Sequence, residues 1–495
     1  MSSYKLIQLL LLSIIISLSI TITQITAKQH LYLPMTHSLS NSKFKSSHHL
    51  LKSTTTISTK RHRRNTNQQV SLPLTPGSDY TLSFTLNSQT LSVYMDTGSD
   101  VVWFPCSPFE CILCEGKYQP GTLTSLNVSK SSLISCKSRA CSTAHSSLSS
   151  SDLCAMAKCP LEDIETSDCS SYSCPSFYYA YGDGSLIAKL HKDNLKMPSN
   201  SNKNPLILKD FTFGCAHSTL GEPIGVAGFG RGSLSLPAQL ANLSPDLGNQ
   251  FSYCLVSHSF DSAKLKHPSP LILGKYNKRD DFFDEINDSK FVYTPMLDNP
   301  KHPYFYSVGL EAVSVGNKRI TAPVNLRRVD NHGNGGVVVD SGTTYTMLPT
   351  RFYNSVAVEL DRRVGKVFKR DMETESTTGL SPCYRLHGGK GSLGMVVPSL
   401  VLHFGGNNNK SSVVLPRRNY FYEFLDGGDE IKKGKKVGCF MMMDGGDDAE
   451  SESGPGATLG NYQQQGFEVV YDLEERRVGF ARRKCATLWN SLNQH

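Results

Sequence analysis

Two short segments of the chain share a residue pattern that could carry out acid–base chemistry. Val93–Ser99 and Val337–Thr343 each consist of an apolar run followed by Asp, a hydroxyl residue, Gly and a second hydroxyl residue. This pattern predicts a carboxylate at the end of a buried strand, followed by a sharp turn. The two acids, Asp96 and Asp340, are 244 residues apart, too far for one turn or helix. Each acid is therefore expected to come from one of two similar halves.

A pair of carboxyl groups can do what a single one cannot, because hydrolysis of an amide by water needs an acid and a base together. Two carboxyl groups within hydrogen-bond distance share one proton and titrate as a coupled unit. One then takes a proton from the attacking water while the other polarises the scissile carbonyl. Backbone N–H groups can approach the carboxylates at Gly98 and Gly342, and hydroxyls can orient them: Thr97, Ser99, Ser341 and Thr343.

One copy of the Asp-containing pattern is more typical of an ordinary strand-ending turn than of a catalytic centre. The duplication in matching apolar contexts favours the paired-acid interpretation. A second pair of similar segments supports this interpretation. Ile224–Gly230 follows the first Asp and Ala457–Asn461 follows the second. Each predicts an apolar strand with a Gly where another backbone passes close. An internal repeat of about half the chain indicates two duplicated lobes.

The chain resembles the pepsin-like aspartic endopeptidases, and among them the cysteine-rich plant type similar to nepenthesins. The resemblance runs from about Tyr80 to Cys485, and six motifs carry it: Asp96–Trp103, Tyr181–Ser185, Phe213–Cys215, Gly230–Pro237, Phe251–Cys254 and Gly460–Gln465. It implies an all-β, bilobal pepsin-like acid protease fold with pseudo-twofold related lobes and an interlobe cleft. It also implies that peptide bonds are hydrolysed at acid pH.

The same resemblance assigns roles to individual residues. Asp96 and Asp340 would be the catalytic dyad that holds the nucleophilic water. Thr97 and Ser341 would lock the two active-site loops together, and Ser99 and Thr343 would be the outer hydroxyls bonded to the dyad. Ser341 departs from the commoner Thr but keeps the hydroxyl, so no loss of activity is expected.

Tyr179–Ser185 places aromatic residues before a Gly-x-Gly tip, which predicts a β-hairpin. The resemblance identifies this hairpin as a flap over the dyad that excludes water and clamps an extended peptide. The alternative is an ordinary exposed hairpin. The residues expected to form the flap and bind substrate are Tyr181, Gly182, Asp183 and Gly184, with Trp103 as the indole partner of the tyrosine.

The rest of the sequence agrees with an all-β protein of two lobes. It has 495 residues, no long stretch with helical periodicity, and short β-rich runs such as Phe211–Phe213 and Glu468–Tyr471. The apolar run Leu6–Ile25, between Lys5 and Thr26-Ala27, predicts a secretory signal peptide. No other segment is long and apolar enough to anchor the chain in a membrane. The expected divisions are a signal peptide at 1–27, a basic pro-segment at 28–69, an N-terminal lobe at 70–298 and a C-terminal lobe at 299–495.

The formal net charge of +8 comes from the beginning of the chain. Nine of the 51 basic residues precede Val70, where there is no Asp or Glu, leaving 42 basic residues against 43 acidic ones. Nucleic-acid binding therefore lacks electrostatic support. We expect the pro-segment to be removed near Arg63-Arg64, with its cations occupying the acidic cleft at neutral pH. A disordered linker or part of an organellar transit sequence is the alternative interpretation.

Fourteen cysteines in a chain with a secretory signal indicate an oxidising compartment and up to seven disulfides. The resemblance implies these pairings, which the sequence alone cannot establish: Cys106–Cys111, Cys114–Cys215, Cys136–Cys174, Cys141–Cys169, Cys154–Cys159, Cys254–Cys485 and Cys383–Cys439. A zinc site at Cys106, Cys111 and Cys114 is the rival interpretation. No metal or cofactor is expected.

The remaining expectations concern modification, partners and location. Candidate glycosylation sites are Asn127, Asn242, Asn287 and Asn409. The resemblance implies protein or peptide substrates with large apolar side chains beside the scissile bond, pepstatin-type inhibitors and a monomeric enzyme. The expected location is the secretory pathway, with the cell wall space or vacuole as destination and a plastid route as the alternative. The competing function is that of a catalytically inactive xylanase-inhibitor-like binding protein on the same fold, but both acids, their hydroxyls and the flap tyrosine favour catalysis.

Overall fold

The computed structural model describes residues 30–41, 51, 80–114, 124–129, 132–181, 184–198, 205–257, 264, 266–274, 290–386, 396–406, 411–426, 435–446 and 454–492. Over these ranges the protein is built mainly of β-strands. The strands of the first part of the chain are β1 Leu31–His37, β2 Tyr80–Leu86, β3 Gln89–Asp96, β4 Val102–Ile112, β5 Phe177–Ala180, β6 Ser185–Met197, β7 Leu206–Leu220, β8 Val226–Gly228, β9 Gln250–Cys254 and β10 Ser269–Leu273.

The second part of the chain is also built mainly of strands, most of which are shorter. They are β11 Val292–Leu297, β12 Ser307–Val308, β13 Leu310–Val315, β14 Lys318–Thr321, β15 Val337–Val339, β16 Met347–Leu348, β17 Cys383–Arg385, β18 Leu400–Phe404, β19 Ser412–Leu415, β20 Phe421–Asp426, β21 Lys435–Phe440, β22 Met443–Asp444, β23 Ala457–Leu459, β24 Phe467–Asp472 and β25 Arg477–Arg482.

The helices are short; all but the last, which follows β25, connect strands. They are α1 Arg139–Ala144, α2 Ser150–Met156, α3 Leu161–Glu165, α4 Leu236–Leu243, α5 Val324–Arg327, α6 Thr350–Val364, α7 Met372–Thr378, α8 Arg417–Tyr420, α9 Asn461–Gln464 and α10 Cys485–Leu492. Two 3₁₀ turns cover Ser38–Asn41 and Pro245–Leu247. The longest helix, α6, buries Phe352, Val356 and Leu360, whose four-residue spacing places them on one face. No helix of the described residues has the length and apolar character needed to cross a membrane.

Strands from both parts of the chain combine in one antiparallel sheet. Its order is β1, β10, β9, β24, β25 and β11. In this sheet Val469 of the C-terminal half pairs with Tyr253 of the N-terminal half. The largest hydrophobic core accordingly includes buried residues from both halves, such as Phe84 and Tyr471. The predicted all-β, bilobal fold is confirmed.

The predicted internal repeat is visible in how the acid-bearing strands pair. β3 pairs in parallel with β8, with Asp96 opposite Gly228, and β15 pairs in parallel with β23, with Val339 opposite Leu459. A Cβ at Gly228 would lie 2.6 Å from the backbone N and O of Val101. Gly228, in the segment Ile224–Gly230, therefore allows another backbone to pass close by, as the sequence predicted.

Part of the stretch predicted to be a pro-segment belongs to the central sheet. β1 pairs with β10 from Leu31 opposite Leu273 to Met35 opposite Ser269. Its inward-facing side chains are buried, with Leu33 1 % and Met35 0 % exposed. Residue Leu51 is likewise buried, in a cluster of the C-terminal half. The proposed cleavage site and the basic residues near it lie outside the described residues.

All fourteen cysteines form disulfides, and two of the seven expected pairings are confirmed: Cys254–Cys485 and Cys383–Cys439. The other five expected pairings are wrong. The structure instead joins Cys106–Cys215, Cys111–Cys114, Cys136–Cys154, Cys141–Cys174 and Cys159–Cys169.

The physical reason for the corrected pairing is the arrangement of strands and helices around each cysteine. β4 and β7 run in parallel with Phe104 opposite Cys215, which brings the Cα atoms of Cys106 and Cys215 to 5.4 Å. Cys111 then pairs with Cys114 across a turn in which Leu113 has φ +57°. Because these thiols are oxidised, the three cysteines of the rival zinc interpretation offer no thiolate to a metal.

Candidate active site

Asp96 ends β3 and Asp340 follows β15, and the fold brings the two carboxyl groups close enough for each to shift the pKa of the other. Both residues are 0 % exposed. The loop of one acid also contacts the other, because a Cβ at Gly98 would lie 3.0 Å from Oδ1 of Asp340. Only glycine allows this approach without displacing the carboxyl group, which supplies the physical reason for glycine at this position.

Each carboxyl group is held by donors from its own turn. The N–H of Gly98 donates to Oδ1 of Asp96 at 2.8 Å, and the N–H of Gly342 donates to Oδ1 of Asp340 at 2.8 Å. The hydroxyl of Thr343 donates to Oδ2 of Asp340 at 2.6 Å. The backbone N–H bonds are therefore alike in the two turns, but the hydroxyl bond is made only in the second, because among the described residues the buried Oγ of Ser99 has no hydrogen-bond partner.

Reciprocal hydrogen bonds join the two turns. The N–H of Thr97 donates to Oγ of Ser341 at 3.1 Å, and the N–H of Ser341 donates to Oγ1 of Thr97 at 2.9 Å. Each hydroxyl then donates to a backbone carbonyl of the opposite strand, Thr97 to Val339 at 3.1 Å and Ser341 to Met95 at 3.2 Å. The expected contact between Thr97 and Ser341 is present in the structure, with serine in the second position.

The two carboxyl groups have different electrostatic surroundings. Burial and the neighbouring Asp340 raise the pKa of Asp96 well above its ordinary value, although Ser99 and the Gly98 N–H act in the opposite direction. Burial also raises the pKa of Asp340, but hydrogen bonds from Thr343 and Gly342 and its contact with Asp96 oppose the rise. Because the two groups titrate as a coupled pair, one proton is shared between them.

A network of buried polar side chains binds the backbone at Asp340 and Val339. The sequence did not predict a role for these side chains. Nε2 of Gln464 donates to the backbone O of Asp340 at 3.0 Å, and its Oε1 accepts the hydroxyl of Tyr253. The hydroxyls of Tyr253 and Tyr471 are 2.8 Å apart, and Tyr471 donates to the backbone O of Val339 at 3.2 Å. Gln464 and Tyr253 lie in two of the motifs that carry the family resemblance, Gly460–Gln465 and Phe251–Cys254. This is the only feature of the sequence that points to the network.

The predicted hairpin is formed by β5 and β6, with Ala180 opposite Ser185. The N–H of Tyr181 donates to the backbone O of Gly184 at 2.7 Å. Nε1 of Trp103 donates to the hydroxyl of Tyr181 at 2.6 Å, so the expected indole partner is in place. The two residues at the tip, Gly182 and Asp183, lie outside the described residues.

Other predicted sites are separate from the dyad. Asn127 and Asn242 are exposed, whereas Asn287 and Asn409 lie outside the described residues. In the Cys-rich insertion, His145 lies near Cys141 and Cys174 in a group compatible with metal ligation, but those two cysteines form a disulfide. This group therefore provides no thiolate ligands.

Comparison with known proteins finds relatives along most of the chain. A probable aspartyl protease of Arabidopsis thaliana is 59% identical over 93% of this chain and 94% of its own length. Aspartic proteinase nepenthesin-1 of Nepenthes gracilis is 28% identical over 82% of this chain and 77% of its own length. Family models described as xylanase inhibitor N-terminal and xylanase inhibitor C-terminal match residues 80–275 and 305–482.

Solved structures with low sequence identity share the fold. Conglutin gamma from lupine seeds has a TM-score of 0.58 and 18% identity, covering 91% of this chain and 94% of the other. Basic 7S globulin from soybean has a TM-score of 0.58 and 18% identity, covering 93% of this chain and 99% of the other. With its paired acid loops and 59% identity to a probable aspartyl protease over nearly its full length, the chain belongs to the plant pepsin-like aspartic protease family.

Proposed function

We propose that the protein is an aspartic endopeptidase that hydrolyses peptide bonds at acid pH with water activated between Asp96 and Asp340. The contact between two fully buried carboxyl groups carries this proposal, since burial and proximity prevent both from ionising together. The names of the relatives support it, because a probable aspartyl protease and two nepenthesins are among them.

The different surroundings of the two acids assign their roles. Asp340, which accepts hydrogen bonds from Gly342 and Thr343, is the carboxylate that takes a proton from the attacking water. Asp96 holds the shared proton and donates it to the carbonyl oxygen of the substrate as the water oxygen bonds to the carbonyl carbon. The resulting tetrahedral diol then collapses: Asp340 gives its proton to the amine nitrogen, the C–N bond breaks, and one diol hydroxyl returns its proton to Asp96 as the carbonyl forms. Both acids then return to their starting protonation states.

We propose that the hairpin of β5 and β6 opens before substrate binds. Both acids are fully buried and Tyr181 is only 5 % exposed, so an extended peptide reaches the dyad after the hairpin has moved aside. Closure then excludes bulk water and strengthens the electrostatic interactions between substrate and dyad. We propose protein or peptide substrates with large apolar residues beside the scissile bond, and inhibition by pepstatin-type compounds.

The test is cleavage of a denatured protein by the purified mature form, at acid and neutral pH, with and without pepstatin. Asp96→Asn is expected to lower the rate by about 10³-fold or more, since the proton-sharing pair is lost. Asp246→Asn is the matched control, because Asp246 is an exposed aspartate far along the chain from both acid loops. Equal rates for wild type and Asp96→Asn would refute the proposal.

The family models described as xylanase inhibitors support a second candidate, a binding protein without catalytic activity. The same experiment separates the two. A folded mature protein that cleaves nothing, but lowers the activity of an added xylanase, would establish the inhibitor function. Cleavage that depends on Asp96 and is blocked by pepstatin would exclude it.

Location and assembly are further parts of the proposal. The seven disulfides support an oxidising compartment of the secretory pathway, with the cell wall space or vacuole as destination. A fluorescent fusion distinguishes these compartments from a plastid. One chain brings both acids together, so we propose a monomeric enzyme, which light scattering of the purified protein tests.

A further inference from the structure

A hydrogen bond attaches the flap to the loop that follows the first acid. The hydroxyl of Tyr179, in β5, donates to Oδ1 of Asp100 at 2.8 Å. The backbone N–H of Asp100 also points at the same hydroxyl, at 3.4 Å. Tyr179 is 6 % exposed and Asp100 is half-buried, so this contact is partly shielded from water. The two residues are 79 positions apart in the sequence and meet only in the folded protein.

This contact lies beside the flap tyrosine. The rings of Tyr179 and Tyr181 are 5.1 Å apart and tilted by 58°, an arrangement typical of favourable aromatic contacts. Tyr181 is itself held by Nε1 of Trp103. The end of the flap strand is therefore attached at two points to the segment that follows Asp96, through Asp100 and through Trp103.

Glycine in a neighbouring loop makes room for the carboxyl group of Asp100. A Cβ at Gly232 would lie 2.1 Å from Oδ2 of Asp100, so any other residue at that position would displace the carboxyl group. The same loop lies against the first acid turn, because the N–H of Gly230 donates to the backbone O of Ser99 at 2.7 Å. This close packing explains why positions 230 and 232 of the Gly230–Pro237 motif are glycine.

The Tyr179 contact does not depend on the charge of Asp100. Burial raises the pKa of Asp100, while the hydrogen bond from Tyr179 opposes the rise. Tyr181 and Tyr304 also face this carboxyl group. Because the tyrosine hydroxyl donates and Oδ1 accepts, a proton on Oδ2 leaves the bond intact. The contact is therefore available at the acid pH proposed for catalysis.

We propose that Asp100 is a positioning residue for the flap: by binding Tyr179, it holds Tyr181 at the height above Asp96 that substrate binding requires. The effect on catalysis depends on the proposed peptidase function, whereas the attachment itself does not. Asp100 acts through Tyr179 and touches neither substrate nor the reacting atoms.

The kinetic test compares variants that remove the bond with variants that keep it. For Asp100→Ala and Tyr179→Phe we expect KM to rise by about 2- to 10-fold, the range of one net hydrogen bond, with kcat within about twofold of wild type. Asp100→Asn keeps an acceptor oxygen and is expected to restore the wild-type KM. The double variant Asp100→Ala/Tyr179→Phe should match either single variant, since both remove the same bond.

Tyr178→Phe is the matched control for Tyr179→Phe. Tyr178 is the preceding residue of the same strand, points to the opposite face and is 58 % exposed. It is expected to leave KM unchanged. Equal KM values for the Tyr178 and Tyr179 variants, or additive effects in the double variant, would overturn the proposal.

A second measurement does not require catalysis. The chain has two tryptophans, so in a Trp489→Phe background Trp103 is the only one, and it is fully buried against Tyr181. Loosening of the flap should raise the acrylamide quenching of Trp103 by about twofold in Tyr179→Phe and not in Tyr178→Phe. If the wild type cleaves no peptide, only the proposed function fails. Unchanged quenching in the Tyr179 variant would refute the attachment.

Discussion

Replacing Ser341 by alanine tests the hydrogen bonds that join the two acid loops. The substitution removes the acceptor of the buried Thr97 N–H at 3.1 Å and the donor to the Met95 carbonyl at 3.2 Å. An unpaired buried N–H costs about 1–3 kcal/mol and the lost bond to the carbonyl about 0.5–1.5 kcal/mol, so we expect a loss of about 2–4 kcal/mol in the free energy of unfolding. Because the loops carry Asp96 and Asp340, loosening them should also lower kcat, by about tenfold or more.

The stability assay is denaturant unfolding followed by tryptophan fluorescence, and the activity assay is cleavage of a quenched fluorescent peptide at acid pH. Ser341→Thr keeps the hydroxyl and is expected to retain both stability and activity. Ser83→Ala is the control, because the Ser83 hydroxyl bonds that of Ser92 at 3.1 Å on an exposed sheet surface, where the change should be within about 0.5 kcal/mol. If Ser341→Ala unfolds and cleaves like Ser83→Ala, the interlobe hydrogen bonds do not have the role assigned to them.

Two further predictions concern stability. Burial and the nearby His217 and Lys189 lower the pKa of His191 to about 4 from an ordinary 6.5. The protein should therefore lose up to about 3 kcal/mol as pH falls from about 6.5 to 4, since the unfolded chain takes up this proton first. His191→Gln should show a smaller drop in melting temperature between pH 7 and 4; an identical drop would contradict the assignment. In the full-length chain, Met35→Ala should cost about 2–4 kcal/mol and the exposed Thr36→Ala little, as measured by urea unfolding, because Met35 is fully buried in β1. Equal midpoints for these two variants would show that β1 does not pack as described.

The parts of the site predicted from sequence are those determined by adjacent residues. The Asp-hydroxyl-Gly-hydroxyl pattern fixes a strand end and a turn, and the structure has Gly98 and Gly342 donating to their own acids at 2.8 Å. The Gly-x-Gly signal likewise predicted the hairpin of β5 and β6. Such features depend on local backbone preferences, which a short sequence carries in full.

The parts that were missed or wrong depend on residues far apart in the chain. Cys106 was expected to pair with Cys111, five positions away, but the parallel pairing of β4 and β7 places Cys215 beside it. The bond from Gln464 to the Asp340 carbonyl joins residues 124 positions apart. Nothing in the local sequence at either end specifies which distant group will lie opposite.

The sequence by itself determined that the chain has two acid-bearing turns, a β-hairpin at Tyr179–Ser185, an all-β composition and enough cysteines for seven disulfides. These follow from residue type, spacing and repetition. Only the tertiary structure decided that Asp96 and Asp340 share one buried site, that burial raises the pKa of both acids, and that Tyr179 donates a hydrogen bond to Asp100. The reason is that burial, Coulomb interactions and hydrogen bonds depend on distances in space, and these are set by the packing of the two lobes rather than by neighbours in the chain.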